Sequence, residues 1–401
     1  MSRSRLIGAT LLVSGTTIGA AMLALPVSTG SSGFIPSLLV MIAGWLFMYF
    51  SARILLEVCL VHPEDSNLLT LAYETLGRKG AFVAVASYLF LLYALITAYL
   101  AALSGMFEQF GTSVFHVELP KIAVALPLIL LFSFIFLLGI QALDRVNRVL
   151  MLGLVIGFVL LIGATLPVLN FSRLGEIQHG YLLASLPIVV TAFGFHVIIP
   201  SLVSYLERDE RAIQKAIFWG SFIPLIAYIL WQMACLGSIP LTGENSIAWG
   251  FKNDINGAAL LAQQTKSYFV AAAADFFLFC AILTSFLGVS LSLFDFLKDA
   301  LKKYPWAQSR KVLLVATFLP PLVFVLSNPR AFFVALDLAG TYGVVVLLAL
   351  LPGIMLWIKR FQLNDMRFAT MKIERPGLIL FILFSCLFIL IEACIQIGII
   401  Q

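Results

Sequence analysis

Eleven stretches of about 20 or more residues run nearly free of charge, and none alternates apolar with polar side chains. They cover roughly 6–28, 34–61, 81–111, 120–140, 147–168, 180–206, 213–237, 266–297, 311–328, 331–358 and 376–399. About 20 helical residues cross a hydrocarbon layer of about 30 Å. Backbone in lipid must satisfy its own N–H and C=O groups, which leaves helices or a closed barrel. Barrel strands need about 10 residues of alternation, which these runs lack. Only 11% of the residues are charged and 61% are hydrophobic, against about 25% charged in soluble domains. The expected fold is therefore an all-α integral membrane protein of 11 transmembrane helices, with the lipid bilayer as its partner.

Loop charges orient these spans. With the N-terminus inside, Lys121, Arg173, Lys252, Lys266 and Arg330 fall outside and the remaining 20 of the 25 Lys and Arg residues fall inside. That asymmetry predicts a cytoplasmic N-terminus and a C-terminus outside at Gln401. It also accounts for the net charge of +5 without nucleic acid. Arg3 and Arg5 ahead of an apolar run have the look of a signal peptide. Ser14, Thr16 and Thr17 in its middle, and ten spans after it, favour a first membrane span. Residues 66–77 read as a short surface helix capped by Ser66 or Asn67, with Gly77 at its end and Leu68, Leu69, Ala72 and Leu76 on one face. Residues 238–265 form the longest outer loop, with a helical piece at 257–264.

Span 1 carries Gly15, Thr16, Thr17, Ile18, Gly19, Ala20, Ala21 and Met22 ahead of Pro26. Alone, two glycines four apart equally describe a helix-packing face. Span 6 holds a counterpart, Thr191, Ala192, Phe193, Gly194, Phe195 and His196 ahead of Pro200. Five spans separate the two, and five is odd, so a second five-span unit runs inverted. Interrupted helices at matching places in inverted repeats point to a transporter site. Unwinding frees amides near residues 20–22 for a carboxylate and carbonyls of residues 15–18 and 192–195 for an ammonium. Such a pair suits the head group of an α-amino acid.

The stretches GTTIGAAMLALP, AFGFHVIIPSLVSYL and ILTSFLGVSLSLFDFL resemble the signatures of bacterial hydroxy and aromatic amino acid permeases. These are relatives of the amino acid–polyamine–organocation superfamily, and the tyrosine permease branch is the one the chain most looks like. The resemblance covers the whole chain. It implies a leucine-transporter-type 5+5 inverted repeat with broken helices 1 and 6. The first repeat would take residues 1–170 and the second 171–358. Residues 359–401 would hold a cytoplasmic loop and the eleventh helix. It further implies substrate between spans 1, 3, 6, 8 and 10, and proton-driven uptake across the bacterial inner membrane. Matching the fold's cation site gives carbonyls of Gly15 and Ile18 with hydroxyls of Thr284 and Ser285, an oxygen cage suited to Na⁺. Some proton-coupled relatives place a span 5 lysine there. This chain departs from that pattern, with Arg145 and Arg148 near the inner end of span 5 and Leu154 deeper.

Intramembrane polar residues extend the candidate list. Histidine ordinarily titrates near physiological pH, so His196 could relay protons, touch substrate, or simply pack neutral against a carbonyl. Asp275 in span 8 is the favoured carboxylate for coupling, and Asp337 in span 10 is a gate candidate. Arg53 and Glu57 form an i, i+4 pair read as structural. Tyr93, Tyr99, Phe193, Phe195, Phe276 and Phe277 could line an aromatic pocket. Substrate contacts are expected from Thr16 to Met22, Tyr93, Ala192 to His196 and Phe277.

The functional expectation is a symporter importing an aromatic L-amino acid, tyrosine first, by alternating access. Tryptophan, phenylalanine or serine/threonine import and Na⁺ coupling remain alternatives. A channel would need repeated filter rings, which are absent. An enzyme would need clustered acids or histidines, yet His62, His116, His179 and His196 are scattered. No P-loop for ATP occurs, the five cysteines lack metal-ligand spacing, and no cofactor or obligatory protein partner is expected.

Overall fold

The computed structural model describes residues 3–19, 21–62, 68–117, 120–138, 140–178, 182–253, 255–265, 267–301, 303–328, 330–363 and 373–397. Ala20, the expected Ser66 or Asn67 cap and Gln401 lie outside these. The described residues are helical and contain no strand, only an isolated bridge between Gly33 and Ile177. Ten helices are long and apolar enough to cross a membrane, and an eleventh crossing is completed when a bent pair at the N-terminus is taken as one span.

Span 1 consists of helices Arg3–Thr17 and Ala21–Thr29, and the segments Arg5–Thr17 and Ala21–Ser32 meet at 57°. Span 2 is Phe34–Val61, and span 3 lies within Leu68–Phe115. Gly77 sits inside that helix at φ +70°. The left-handed conformation ends the short helix at 68–76 and turns the chain into span 3, the role expected of a C-terminal glycine. Leu68, Leu71 and Ala72 are buried while Tyr73 is exposed, so this short helix lays one face on the protein. Spans 4 and 5 are Lys121–Leu138 and Ile140–Thr165.

Span 6 is built from Leu186–Ala192 and Ile199–Tyr205, joined by a turn and a short 3₁₀ segment His196–Ile198. Span 7 is Glu210–Ser238. The outer loop folds into Ile247–Lys252 and Gly257–Thr265, ahead of span 8, Tyr268–Ala300. Span 9 is Arg310–Ser327 and span 11 is Arg375–Gln396. Pro127, Pro224, Pro320 and Pro321 sit inside spans, where neighbouring helices and local adjustment satisfy the backbone groups they free.

Span 10 changes pitch. An α-helix Ala331–Leu338 widens into a π-helix over Ala339–Leu350 and returns to α at Leu351–Trp357. Two glycines let it press on its neighbours: a Cβ on Gly340 would run into the Pro187 carbonyl of span 6, and one on Gly343 would lie 2.8 Å from Leu91 Cβ of span 3. Wide π turns are frequent at functional sites, and this one places Val344 on the wall of the main cavity.

Arg53 and Glu57 do not pair with each other in the way their spacing suggested. Arg53 donates to Tyr49 Oη at 3.2 Å, while buried Glu57 lies 3.9 Å from Arg360 at the end of span 10. The carboxylate thus meets a cation from another span rather than the one four residues before it in its own helix.

Candidate functional site

Residues beside the bend in span 1 and the turn in span 6 line one cavity of about 380 Å³. Span 1 supplies Gly15, Thr16, Thr17, Gly19 and Ala21, and span 6 supplies Thr191, Gly194, Val197 and Ile198. Span 3 adds Tyr88, Leu92 and Tyr99, span 8 adds Thr284 and Ser285, and span 10 adds Val344. The cavity runs on to Leu11, Leu12, Asn147 and Ser292, towards the side on which span 1 begins. Among the described residues, no Asp, Glu, Lys, Arg or His lines it. Its polar groups are hydroxyls, one amide and backbone.

The glycines of span 1 face side chains rather than a packed helix backbone. A Cβ on Gly19 would lie 2.8 Å from Ser285 Oγ and 3.8 Å from Tyr99 Oη, and one on Gly15 would lie 3.0 Å from Met151 Cε. The atoms nearest these two positions thus belong to side chains of spans 3, 5 and 8. At Gly194 a Cβ would stand 3.1 Å from Thr191 O.

The hydroxyls of the breaks turn back on their own helices. Thr16 donates to Leu12 O at 2.8 Å, Thr17 to Val13 O at 2.7 Å and Thr191 to Pro187 O at 2.8 Å. Thr284 donates to Cys280 O and Ala281 O, each at 3.0 Å. Each donor is thereby satisfied within its helix, while the lone pairs stay available to a cation or an ammonium.

Span 7 closes the breaks from behind. Tyr228 Oη lies 2.8 Å from Thr17 O and 2.9 Å from Ala192 O, and Trp231 Nε1 donates to Met22 O at 3.1 Å. Gln232 Nε2 donates to Thr29 Oγ1 at 2.9 Å. Nothing in the sequence of span 7 flagged Tyr228 or Trp231, because an aromatic in an apolar run reads as packing. The usable signal is the polar tip on a buried ring, which needs a partner.

The sequence profile of the tryptophan/tyrosine permease family matches residues 2–392. The chain belongs to the tryptophan/tyrosine permease family. It is 35% identical over 367 residues to the tyrosine-specific transport system 1 of Haemophilus influenzae, covering 89% of each chain. Identity to tyrosine-specific transport system 2 of the same organism is 34% over 370 residues, 90% of each. A tryptophan-specific transport protein from that organism is 33% identical over 365 residues, 87% of this chain and 86% of the relative.

Within this permease the sequence-derived candidates divide. Gly15, Thr16, Thr17, Gly19, Ala21, Gly194, Thr284 and Ser285 share the cavity wall. Ile18, Met22, Ala192, Phe193, Phe195, His196, Tyr93 and Phe277 are off it. Phe193 packs 5.2 Å from Tyr228, and Phe277 packs between Phe158 and Trp231 at 5.7 and 6.1 Å. His196 is fully buried beside Phe195, while its neighbours Val197 and Ile198 reach the cavity. Tyr93 points to span 9 and donates to Ala316 O at 2.8 Å. Its neighbours Leu92 and Leu95 face the cavity, and each residue turns about 100° on a helix. Phe276 is 44% exposed. Tyr88, Tyr99 and Asn147 are cavity residues, of which only Tyr99 was singled out from sequence.

Asp275 belongs to a second, smaller cavity of about 250 Å³ near the opposite ends of the spans. Ser104 and Glu108 of span 3, Lys121 of span 4, Asn253 and Asn256 of the outer loop and Phe332 of span 10 share it. Nine residues separate Asp275 from Thr284 along one helix, about 13 Å of rise, so the structure does not bring the carboxylate to the hydroxyl pair. Asp337 lines neither cavity.

Proposed function

We propose that this permease is a secondary active symporter importing an aromatic L-amino acid, tyrosine first, by alternating access driven by the proton gradient. The observation that carries this is the uncharged cavity at the meeting of the two helix interruptions. A zwitterion needs both donors and acceptors, and with no charged side chain among the described wall residues, helix-end backbone and the wall's hydroxyls supply them. Leu92, Leu95, Tyr88, Tyr99 and Val344 give the apolar wall an aromatic ring requires. Relatives named for tyrosine and for tryptophan favour the aromatic class.

In this reading spans 1–5 and 6–10 form a 5+5 inverted repeat, and spans 1 and 6 are its broken helices. Loop charges put the N-terminus in the cytoplasm of the bacterial cell and the C-terminus in the periplasm. The cavity's extension to Leu11 and Ser292 supports reading this as the inward-facing form. Thr17, Gly19, Ala21 and Gly194 hold the head group, and Tyr99 meets the side chain. Asp275, in the polar outer cavity with Glu108 and Lys121, is the proton-coupling group. The Gly15, Thr284 and Ser285 cluster keeps Na⁺ coupling as the second reading.

Uptake of labelled tyrosine into proteoliposomes tests the coupling. An inward proton gradient raises the accumulated level several-fold, and exchange of Na⁺ for K⁺ leaves it unchanged. Strict Na⁺ dependence would transfer the coupling role to Thr284 and Ser285.

A further inference from the structure

We propose that Tyr228 is a positioning residue that ties the two helix interruptions into one moving unit. This rests on the transporter reading and concerns span 7, which contacts no substrate in it.

Thr17 ends the first half of span 1, and Ala192 ends the first half of span 6. The last carbonyls of any helix have no partner within it. Thr17, Ala192 and Tyr228 are 4%, 1% and 0% exposed, so the phenol is the polar group at hand for both carbonyls on the span 7 side. Tyr228 Oη faces both, at 2.8 and 2.9 Å. A phenol carries one proton, so a single O–H is shared by two acceptors on two different spans. Any motion that carries Thr17 O away from Ala192 O strands one buried carbonyl, and the two helix ends therefore travel together.

Neighbouring contacts extend the tie. One turn along span 7, Trp231 Nε1 holds Met22 O at the start of the second half of span 1. The Tyr228 ring also packs on Phe193, directly after the end of the first half of span 6. Span 7 thus grips span 1 on both sides of its break and span 6 on one. The ring alone fills the space, as a phenylalanine would; the hydroxyl adds only the double link. Its role is mechanical coupling, separate from packing.

The test reads the distance between the two spans. Leu12 of span 1 and Leu183, which leads into the first half of span 6, are 46% and 52% exposed. Leu12→Cys and Leu183→Cys are combined in the permease, with the half-buried Cys386 and Cys394 of span 11 replaced by serine, and both cysteines carry nitroxide spin labels. Double electron–electron resonance is recorded without and with saturating tyrosine or tryptophan. With Tyr228 intact, one narrow distance distribution is expected and the amino acid does not move it. In Tyr228→Phe the distribution splits or at least doubles in width. An unchanged distribution in Tyr228→Phe, or one that moves with the amino acid while Tyr228 is present, overturns the proposal. Incorporation of 4-aminophenylalanine at position 228 keeps an N–H donor for each carbonyl and serves if Tyr228→Phe does not accumulate. It is expected to keep the narrow distribution, and a split distribution there overturns the proposal equally. Labelled tyrosine uptake by the same preparations reports on the transporter reading, independently of the distances.

Discussion

Gly19 and Ser285 face each other so closely that a Cβ on Gly19 would lie 2.8 Å from the Ser285 hydroxyl oxygen. The break of span 1 and the middle of span 8 can approach this far only with hydrogen at position 19. Gly19→Val is expected to abolish uptake while the protein still accumulates in the membrane. Gly19→Ala should reduce uptake about tenfold, equivalent to ~1.4 kcal/mol. Adding Ser285→Ala removes the colliding oxygen and should recover part of that loss. Radiolabel uptake normalised to protein level measures all three, and normal uptake by the valine variant removes this position from the site.

Tyr99 brings its hydroxyl to the same place, 3.8 Å from that Cβ position. A neutral hydrogen bond contributes about 0.5–1.5 kcal/mol, so Tyr99→Phe should raise KM about 2- to 12-fold with maximal rate little changed. An unaltered KM would make Tyr99 a packing residue.

Phe277 gives the opposite pattern. It is fully buried among Phe158, Trp231 and the Gly157 turn, where a Cβ on Gly157 would lie 3.0 Å from Phe277 Cα. Phe277→Ala should cost about 3–5 kcal/mol of stability by analogy with other buried phenylalanines. Thermal unfolding in detergent would show a lower midpoint, while substrate KM in the surviving protein stays near that of the parent. A large rise in KM would return Phe277 to the substrate pocket.

Asp275 sits with Glu108 and Lys121 rather than at the head-group site. Asp275→Asn should therefore abolish accumulation against a gradient but preserve tyrosine–tyrosine exchange across a proteoliposome membrane. Loss of both activities would make Asp275 part of substrate binding or folding.

Sequence showed the spans clearly because hydrophobic runs of about 20 residues have few other solutions. It also showed Gly15, Gly19 and Gly194 standing where apolar helix formers would ordinarily continue. Which side chains meet was less legible. Tyr93 and Tyr99 read alike from the sequence, yet six residues on a helix rotate a side chain by about 600°, or 240° net, and only Tyr99 reaches the cavity. His196 follows the span 6 break but turns into the interior, leaving Val197 and Ile198 to the wall. Tyr228 was invisible because its role depends on two carbonyls from spans 1 and 6 converging on it, which no local pattern encodes.

Competition of labelled tyrosine uptake by each of the twenty amino acids tests the central claim most directly. An apolar-walled, uncharged cavity predicts strong competition by unlabelled tyrosine and by tryptophan or phenylalanine, and none by glutamate, aspartate, lysine or arginine. Strong competition by serine with none by the aromatic amino acids would contradict it.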